Sequence, residues 1–277
     1  MAYWGDTYAA NWCPRPLVQP AAEDVAYFEA SVSKMQAGTS AGRVDALLLG
    51  VTRSIAAMRW PVPTDLVALD WSEPVIRRLW NREGVPRVSA AVRGDWREMP
   101  LASASRNVAL SDGCYHSVTS HEDGALLTEE VRRVLVPGGI FCTRTFVAPD
   151  PPERLDEMFD ELHAGHTPSL HVFRWRLAAA LQGRSRKGVP RHDVWQAWTR
   201  RVGDAAKLKQ IYGEADRGFA ILEKFRDLRG CLFYYTLAEL EALCAPWFEV
   251  TDRSLPSYAG GERFPRLRLR ARAAQPR

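Results

Sequence analysis

Cysteine is scarce in this sequence: five in 277 residues, Cys13, Cys114, Cys142, Cys231 and Cys244, with no Cys-x-x-Cys pair. An odd, scattered set builds neither a disulfide framework nor a thiolate zinc cluster, and it points to a reducing compartment. Long apolar runs are missing too, since none approaches the ~20 residues that span a bilayer. The start, Met1-Ala2-Tyr3-Trp4-Gly5-Asp6, lacks a basic segment leading into an apolar one, so no signal peptide is expected. Charge of one sign is also in short supply. Thirty-seven Lys+Arg against 33 Asp+Glu leave +4, too little to demand nucleic acid as a partner. The expectation is a soluble cytoplasmic protein without a membrane partner. What is present is ordinary in bulk: 46% hydrophobic and 25% charged residues exclude wholesale disorder and a fibrous repeat. The length suits one large domain, or one domain carrying an insertion. Ten tryptophans stand out against that background.

The chain divides into four stretches. Residues 1–43 read as an N-terminal helical flap: prolines punctuate the start, and Val25, Phe28, Val32 and Met35 recur at helical spacing between Ala22 and Met35. Tyr3, Trp4, Tyr8 and Trp12 either close over a ligand or pack on a sheet edge. Residues 44–150 alternate short apolar runs (44–49, 66–69, 107–110 and 140–143) with helical patterns at Glu73–Trp80 and Ala125–Leu135. Runs apolar on both faces belong to a parallel sheet covered by helices on each side. Pro137-Gly138-Gly139 reads as the stop of the second helix. Residues 151–230 show amphipathic helical stretches and no strand pattern, so they read as a helical insertion, a lid or substrate surface. Residues 231–277 return to α/β. Thr236-Leu237-Ala238-Glu239 is a capping box, 248–251 a strand, and Arg266-Leu267-Arg268-Leu269-Arg270 an alternating strand with one wet face.

An open parallel sheet binds ligands outside the carboxyl ends of its strands, where the strand order reverses. Gly50 and Asp70 lie 20 residues apart, the distance at which a ribose-binding acid follows a glycine turn. Asp95 is a second acid at a strand end, suited to an adenine amino group. Trp71 and Trp96 directly follow the two acids, where an indole face can pack on a purine. A solvated loop explains each acid, and a core edge each tryptophan, without a ligand.

On these and further motifs the sequence resembles the class I S-adenosylmethionine-dependent methyltransferases. The carriers are Leu47-Leu48-Leu49-Gly50, Leu66 to Ser72, Gly94 to Leu101, Asn107 to Gly113 and, most specific, Glu130 to Phe141 with its Pro-Gly-Gly turn. The resemblance implies a three-layer α/β/α Rossmann-like fold: a mostly parallel seven-stranded sheet with a C-terminal antiparallel hairpin, here with a helical insertion. It implies S-adenosylmethionine as cofactor and S-adenosylhomocysteine as product. Asp70 would hold the ribose and Asp95 the adenine, with Trp71 and Trp96 beside them as cofactor-binding residues. Gly50 would approach the methionine part, and Ser111, Asp112 and Gly113 would face the donor methyl. The first motif departs from the family, which usually has an acid two residues before its first glycine and further glycines two and four residues after it. This chain has Leu48, Thr52 and Ser54 there. Thr52 and Ser54 leave room and can hydrogen-bond the donor themselves, so the turn is either a modified cofactor site or a defunct one. The four retained motifs favour binding.

Methyl transfer needs alignment first and a base only for a protonated acceptor. His116 follows the fourth strand as a candidate base, with Tyr115 to orient the acceptor; His121 is a further imidazole there. His163, His166 and His171 cluster without a completing carboxylate or cysteine, so no metal is expected. The run from Arg184 to Arg191 reads as a solvated loop, and the fourth strand lacks the motif of base-amino methyltransferases. The expectation is transfer of a methyl group to an oxygen or nitrogen of a small molecule. The alternatives are a non-catalytic relative that binds a nucleoside or a protein, and an RNA or protein methyltransferase.

Overall fold

The computed structural model describes residues 19–37, 42–213 and 218–273. The aromatic residues expected to form a flap, Tyr3 to Trp12, lie outside the described residues, as does Cys13.

Helix α1 (Ala22–Ala37) turns Phe28 and Val32 into the core. Strand β1 (Val44–Leu49) runs into the short helix α2 (Arg53–Ala56). Strand β2 (Thr64–Asp70) leads to α3 (Glu73–Leu79), whose first turn is capped by the Ser72 hydroxyl. Strand β3 (Val88–Arg93) follows, and then β4 (Arg106–Asp112). Helix α4 (His121–Val134) hands over directly to β5 (Leu135–Arg144). Pro137-Gly138-Gly139 is therefore not a loop after the helix. It is an irregularity inside β5, where the register on β4 shifts between Arg106 and Val108 and Gly138 takes φ +79°. Positive φ is what glycine supplies at no steric cost.

Five helices follow: α5 (Leu155–His163), α6 (Leu170–Gln182), α7 (Arg191–Arg201), α8 (Ala205–Tyr212) and α9 (Gly218–Lys224). They pack Phe159, Phe173, Leu177, Trp198 and Leu222 into a hydrophobic cluster separate from those on the two sides of the sheet. A strand pair too short for a periodic signal ties the middle of this stretch to the chain just after it, β6 (Val189–Pro190) against β7 (Cys231–Leu232). The capping box at Thr236 and Glu239 opens α10 (Leu237–Cys244), followed by β8 (Phe248–Ser254) and β9 (Arg266–Ala271).

The main sheet has seven strands in the order β3-β2-β1-β4-β5-β9-β8, parallel except for β9, which runs antiparallel to both β5 and β8. Strand order reverses between β1 and β4, so the crevice for a ligand opens there, at the carboxyl ends. A buried ion cluster fastens α1 beside that crevice. Asp24, fully buried, lies 3.3 Å from Arg144 Nη1 and 3.4 Å from Arg266 Nη1, and accepts from the Tyr258 hydroxyl at 2.9 Å. Arg144 in turn donates Nε to Asp112 at 2.6 Å.

Candidate active site

A cavity of about 150 Å³ opens at the carboxyl ends of β1, β2, β4 and β5 and continues under α6, α7 and α9. Gly50 ends β1 with φ +93°, and its N–H donates to the Leu69 carbonyl at 2.8 Å. A Cβ on Gly50 would stand 3.9 Å from Asp70 Oδ2, 3.9 Å from the Trp96 ring and 4.0 Å from Thr52 Oγ1. Those groups bound the space in front of the glycine. Thr52 is the residue before α2, and its hydroxyl caps no backbone group. Asp70 is 8% exposed; its Oδ1 accepts from the Ser72 N–H at 2.8 Å, and no cation pairs with it among the described residues. Burial pushes its carboxyl up to about 6, only partly offset by that hydrogen bond. Trp96 donates its indole N–H to the Leu69 carbonyl at 2.6 Å, which fixes the ring against the cavity, and Trp71 lines the same end.

The other end of the cavity is built by the helical stretch. Asp112 and Arg144 line it as an ion pair, with His116 beside them. The backbone N–H of Phe146 donates to His116 Nδ1 at 3.1 Å, so the neutral ring carries its hydrogen on Nε2. Burial, with the charges of Arg144 and Arg174 adding to it, pushes this imidazole down to about 3. Arg174 and Trp175 reach the cavity from α6, and Phe225 from the turn after α9.

The comparisons with known proteins bear on this arrangement. Residues 47–143, the segment carrying β1 through β5, match the family model described as a methyltransferase domain. Over that segment the chain is similar to a methyltransferase domain. Domains of that kind take S-adenosylmethionine as cofactor.

Solved structures share the fold of this chain at low identity. A protein of Pyrococcus horikoshii OT3 superposes with a TM-score of 0.52 at 14% identity, covering 96% of this chain and 99% of its own. A SAM-dependent methyltransferase from Methanosarcina mazei gives 0.50 at 11%, covering 84% and 94%. A third, from Rhodobacter sphaeroides, carries the name Zn-dependent alcohol dehydrogenase and gives 0.60 at 13%, covering 92% of each chain. At such identities the fold alone is shared, and a fold does not carry an activity. No group of three His, Cys, Asp or Glu side chains suited to a metal occurs among the described residues. No curated protein matches the sequence.

The site suits the cofactor on its own geometry. Asp70 presents a buried carboxylate short of hydrogen-bond donors, which the two hydroxyls of a ribose supply. Gly50 has no side chain to fill the space between Asp70 and Trp96. Among the candidate cofactor-binding and catalytic residues singled out in the sequence, the cavity brings together Gly50, Thr52, Asp70, Trp71, Trp96, Asp112 and His116. It does not bring in the others. Asp95 gives its carboxylate to Arg97, accepting from the backbone N–H at 2.9 Å and from Nη2 at 2.6 Å, and Arg97 continues to Asp123. The Arg97 guanidinium holds the Asp95 carboxyl below its ordinary value. The Ser54 hydroxyl is buried in the fold without a partner, off the cavity. Ser111 Oγ bonds Thr143 and Cys114 inside the sheet. Gly113 serves the backbone: its φ is +85°, and a Cβ there would strike the His116 ring at 2.6 Å.

Two expected roles are corrected. Tyr115 cannot orient an acceptor, because it is 1% exposed in the core with its hydroxyl 2.9 Å from Thr128 Oγ1 and 3.5 Å from Cys244 Sγ. His116 reaches the cavity but is no base near neutral pH. Its Nδ1 is occupied by the Phe146 N–H, and burial among arginines opposes a second proton. His121 opens α4 with its ring against Arg186. Of the three clustered histidines only His171 lines the cavity. The residues that sequence reasoning passed over are Arg144, Arg174 and Arg191. Arg191 had been read as part of a solvated loop, but it starts α7 with 7% exposure and donates to the Arg229 carbonyl at 2.8 Å. Nothing in a sequence separates a buried arginine from an exposed one when both sit on amphipathic helices.

Proposed function

We propose that the chain moves a methyl group from S-adenosylmethionine to an oxygen or nitrogen of a small molecule. The observation that carries this reading is the continuity of the cavity, from Gly50, Asp70 and Trp96 at the sheet to Trp175 and Phe225 in the helical stretch. A largely enclosed, mostly apolar cavity suits a small molecule held beside a cofactor. On this reading residues 44–150 and 231–277 form the cofactor-binding core and 151–230 the lid that holds the acceptor, while α1, expected as part of a flap, packs on the sheet.

When bound, S-adenosylmethionine supplies an electrophilic methyl on a sulfonium. The chain's residues then hold and align. Asp70 accepts hydrogen bonds from the ribose hydroxyls, Gly50 lets the backbone approach, and Trp71 and Trp96 flank the adenosine. The Asp112–Arg144 pair keeps its charges fixed at the meeting point of the two ends. His116 donates from Nε2 to an acceptor or cofactor oxygen and takes no proton. The acceptor must therefore arrive with a free lone pair, and rate comes from alignment of an in-line displacement.

Calorimetric titration with S-adenosylhomocysteine tests the reading first, with one-to-one binding expected. No heat at millimolar ligand overturns it in favour of a non-catalytic relative. Supplying radiolabelled S-adenosylmethionine with cell extract then tests the acceptor. Label in small molecules supports the proposal, whereas label retained in RNA or protein overturns it.

A further inference from the structure

Among the described residues, Arg174 is a buried charge with no acid beside it. It lies on α6, is 8% exposed, and lines the cavity. Its Nε is buried with no hydrogen-bond acceptor, and no acid among the described residues pairs with it. The other buried arginines have acceptors: Arg132 donates to the Leu135 carbonyl at 3.2 Å and Arg191 to the Arg229 carbonyl at 2.8 Å. Arg144 has Asp112, Asp24 and the Tyr258 hydroxyl, and Arg266 has Asp24, the Ser254 hydroxyl and the Leu255 carbonyl. A guanidinium cannot escape the cost of burial by losing its proton, so an unpaired one needs an anion from elsewhere.

The surroundings of Arg174 describe that anion. The guanidinium carbon stands 5.3 Å from the Trp175 ring centroid and 5.6 Å from that of Phe225, so aromatic rings hold it. Ring contacts leave its in-plane N–H groups to a ligand, and a planar fork of donors matches a carboxylate. Beyond it the wall is apolar, with Ile221 and Leu232 joining the two rings. A phosphate dianion would call for a second free cation. Arg144 is already committed to two acids, His116 is neutral, and Arg191, which also lines the cavity, is engaged with the Arg229 carbonyl.

We infer that the second ligand of this cavity is a small apolar acid, whose carboxylate binds Arg174 and whose body packs on Trp175 and Phe225. The inference rests on the methyltransferase reading only in calling that ligand the acceptor; the anion site stands on Arg174 itself. Arg174 is then a specificity-determining residue, choosing charged over neutral molecules of equal shape.

The test uses the full chain saturated with S-adenosylhomocysteine. The probes are three acid–amide pairs, benzoate and benzamide, phenylacetate and phenylacetamide, and octanoate and octanamide, with inorganic phosphate as a separate arm. At least one acid is expected to bind ten times more tightly than its amide, and Arg174→Gln should remove that preference while leaving S-adenosylhomocysteine affinity within twofold. That retained affinity reports that the variant is folded. The inference is overturned if no acid binds, if the amides bind as well, if phosphate alone binds, or if the preference survives in R174Q. Should S-adenosylhomocysteine fail to bind while acids still bind through Arg174, the methyltransferase reading falls and the anion site remains.

Discussion

Asp70 places function and stability in opposition, and Asp70→Asn separates them. In the protein without ligand this carboxylate is buried, accepts one backbone hydrogen bond and has no cationic partner among the described residues, so its folded value is near 6 against an ordinary 3.8. The folded state therefore holds the proton more tightly than the unfolded chain. The resulting penalty is absent below the ordinary value and complete above about pH 6. A shift of roughly two units corresponds to about 3 kcal/mol, since each unit is worth 1.36 kcal/mol. Asn keeps the acceptor for the Ser72 N–H and does not titrate. The stability advantage of Asp70→Asn over wild type should therefore grow by about 2 kcal/mol between roughly pH 4.5 and 7.5. Urea unfolding followed by tryptophan fluorescence across that range reads it directly. The same variant should bind S-adenosylhomocysteine about 10- to 100-fold more weakly at pH 7.5, the worth of hydrogen bonds to a charged acceptor. Wild-type affinity should itself fall as the pH drops through 6. A stability difference that stays flat with pH would refute the account of Asp70 as a buried, unpaired carboxylate. Unchanged affinity would remove it from the ribose site.

Three further outcomes follow from the packing. Asp24→Ala strips the buried guanidinia of Arg144 and Arg266 of a shared acid, and should cost about 3–5 kcal/mol in denaturant unfolding; a cost below 1 kcal/mol would show that the cluster does not hold α1 to the sheet. Gly113→Ala should lose about 1–3 kcal/mol of stability, because φ is +85° and the new Cβ meets the His116 ring at 2.6 Å; an unaltered melting temperature would mean the ring lies elsewhere. Burial pushes the thiols of Cys114, Cys142 and Cys244 up to about 12, while Cys231 is half-buried at the cavity. Peptide mapping after treatment with a thiol reagent should find Cys231 modified before those three, and equal rates would contradict their burial.

Much of the fold was legible in the sequence because parallel strands buried on both faces leave continuous apolar runs. Leu47 to Leu49, Leu66 to Leu69 and Val108 to Leu110 are such runs, and each is a central strand. The first described helix, the capping box at Thr236 and the closing antiparallel strand were legible for the same local reasons of period and cap chemistry. Strand β3 gave no apolar run, because it is the sheet edge and Val88, Ala90 and Val92 face outward there. The β6–β7 pair was too short to show any period.

The sequence by itself determined the order of strands and helices, the glycine turn at Gly50 and the acid at Asp70, because each depends on residues near one another in the chain. Only the tertiary structure decided which charges are spent and which are free. Asp95 and Asp70 look alike in sequence, yet Arg97 occupies one, and among the described residues only a backbone N–H and no cation reaches the other. His116 looked like a base until the Phe146 N–H, 30 residues away, took its Nδ1. Arg174 carries no signal of its own in the sequence, and burial among aromatic rings makes it a cation of the cavity. A side chain's charge state and availability depend on the groups that long-range folding brings within a few ångströms of it, and a local pattern cannot encode them.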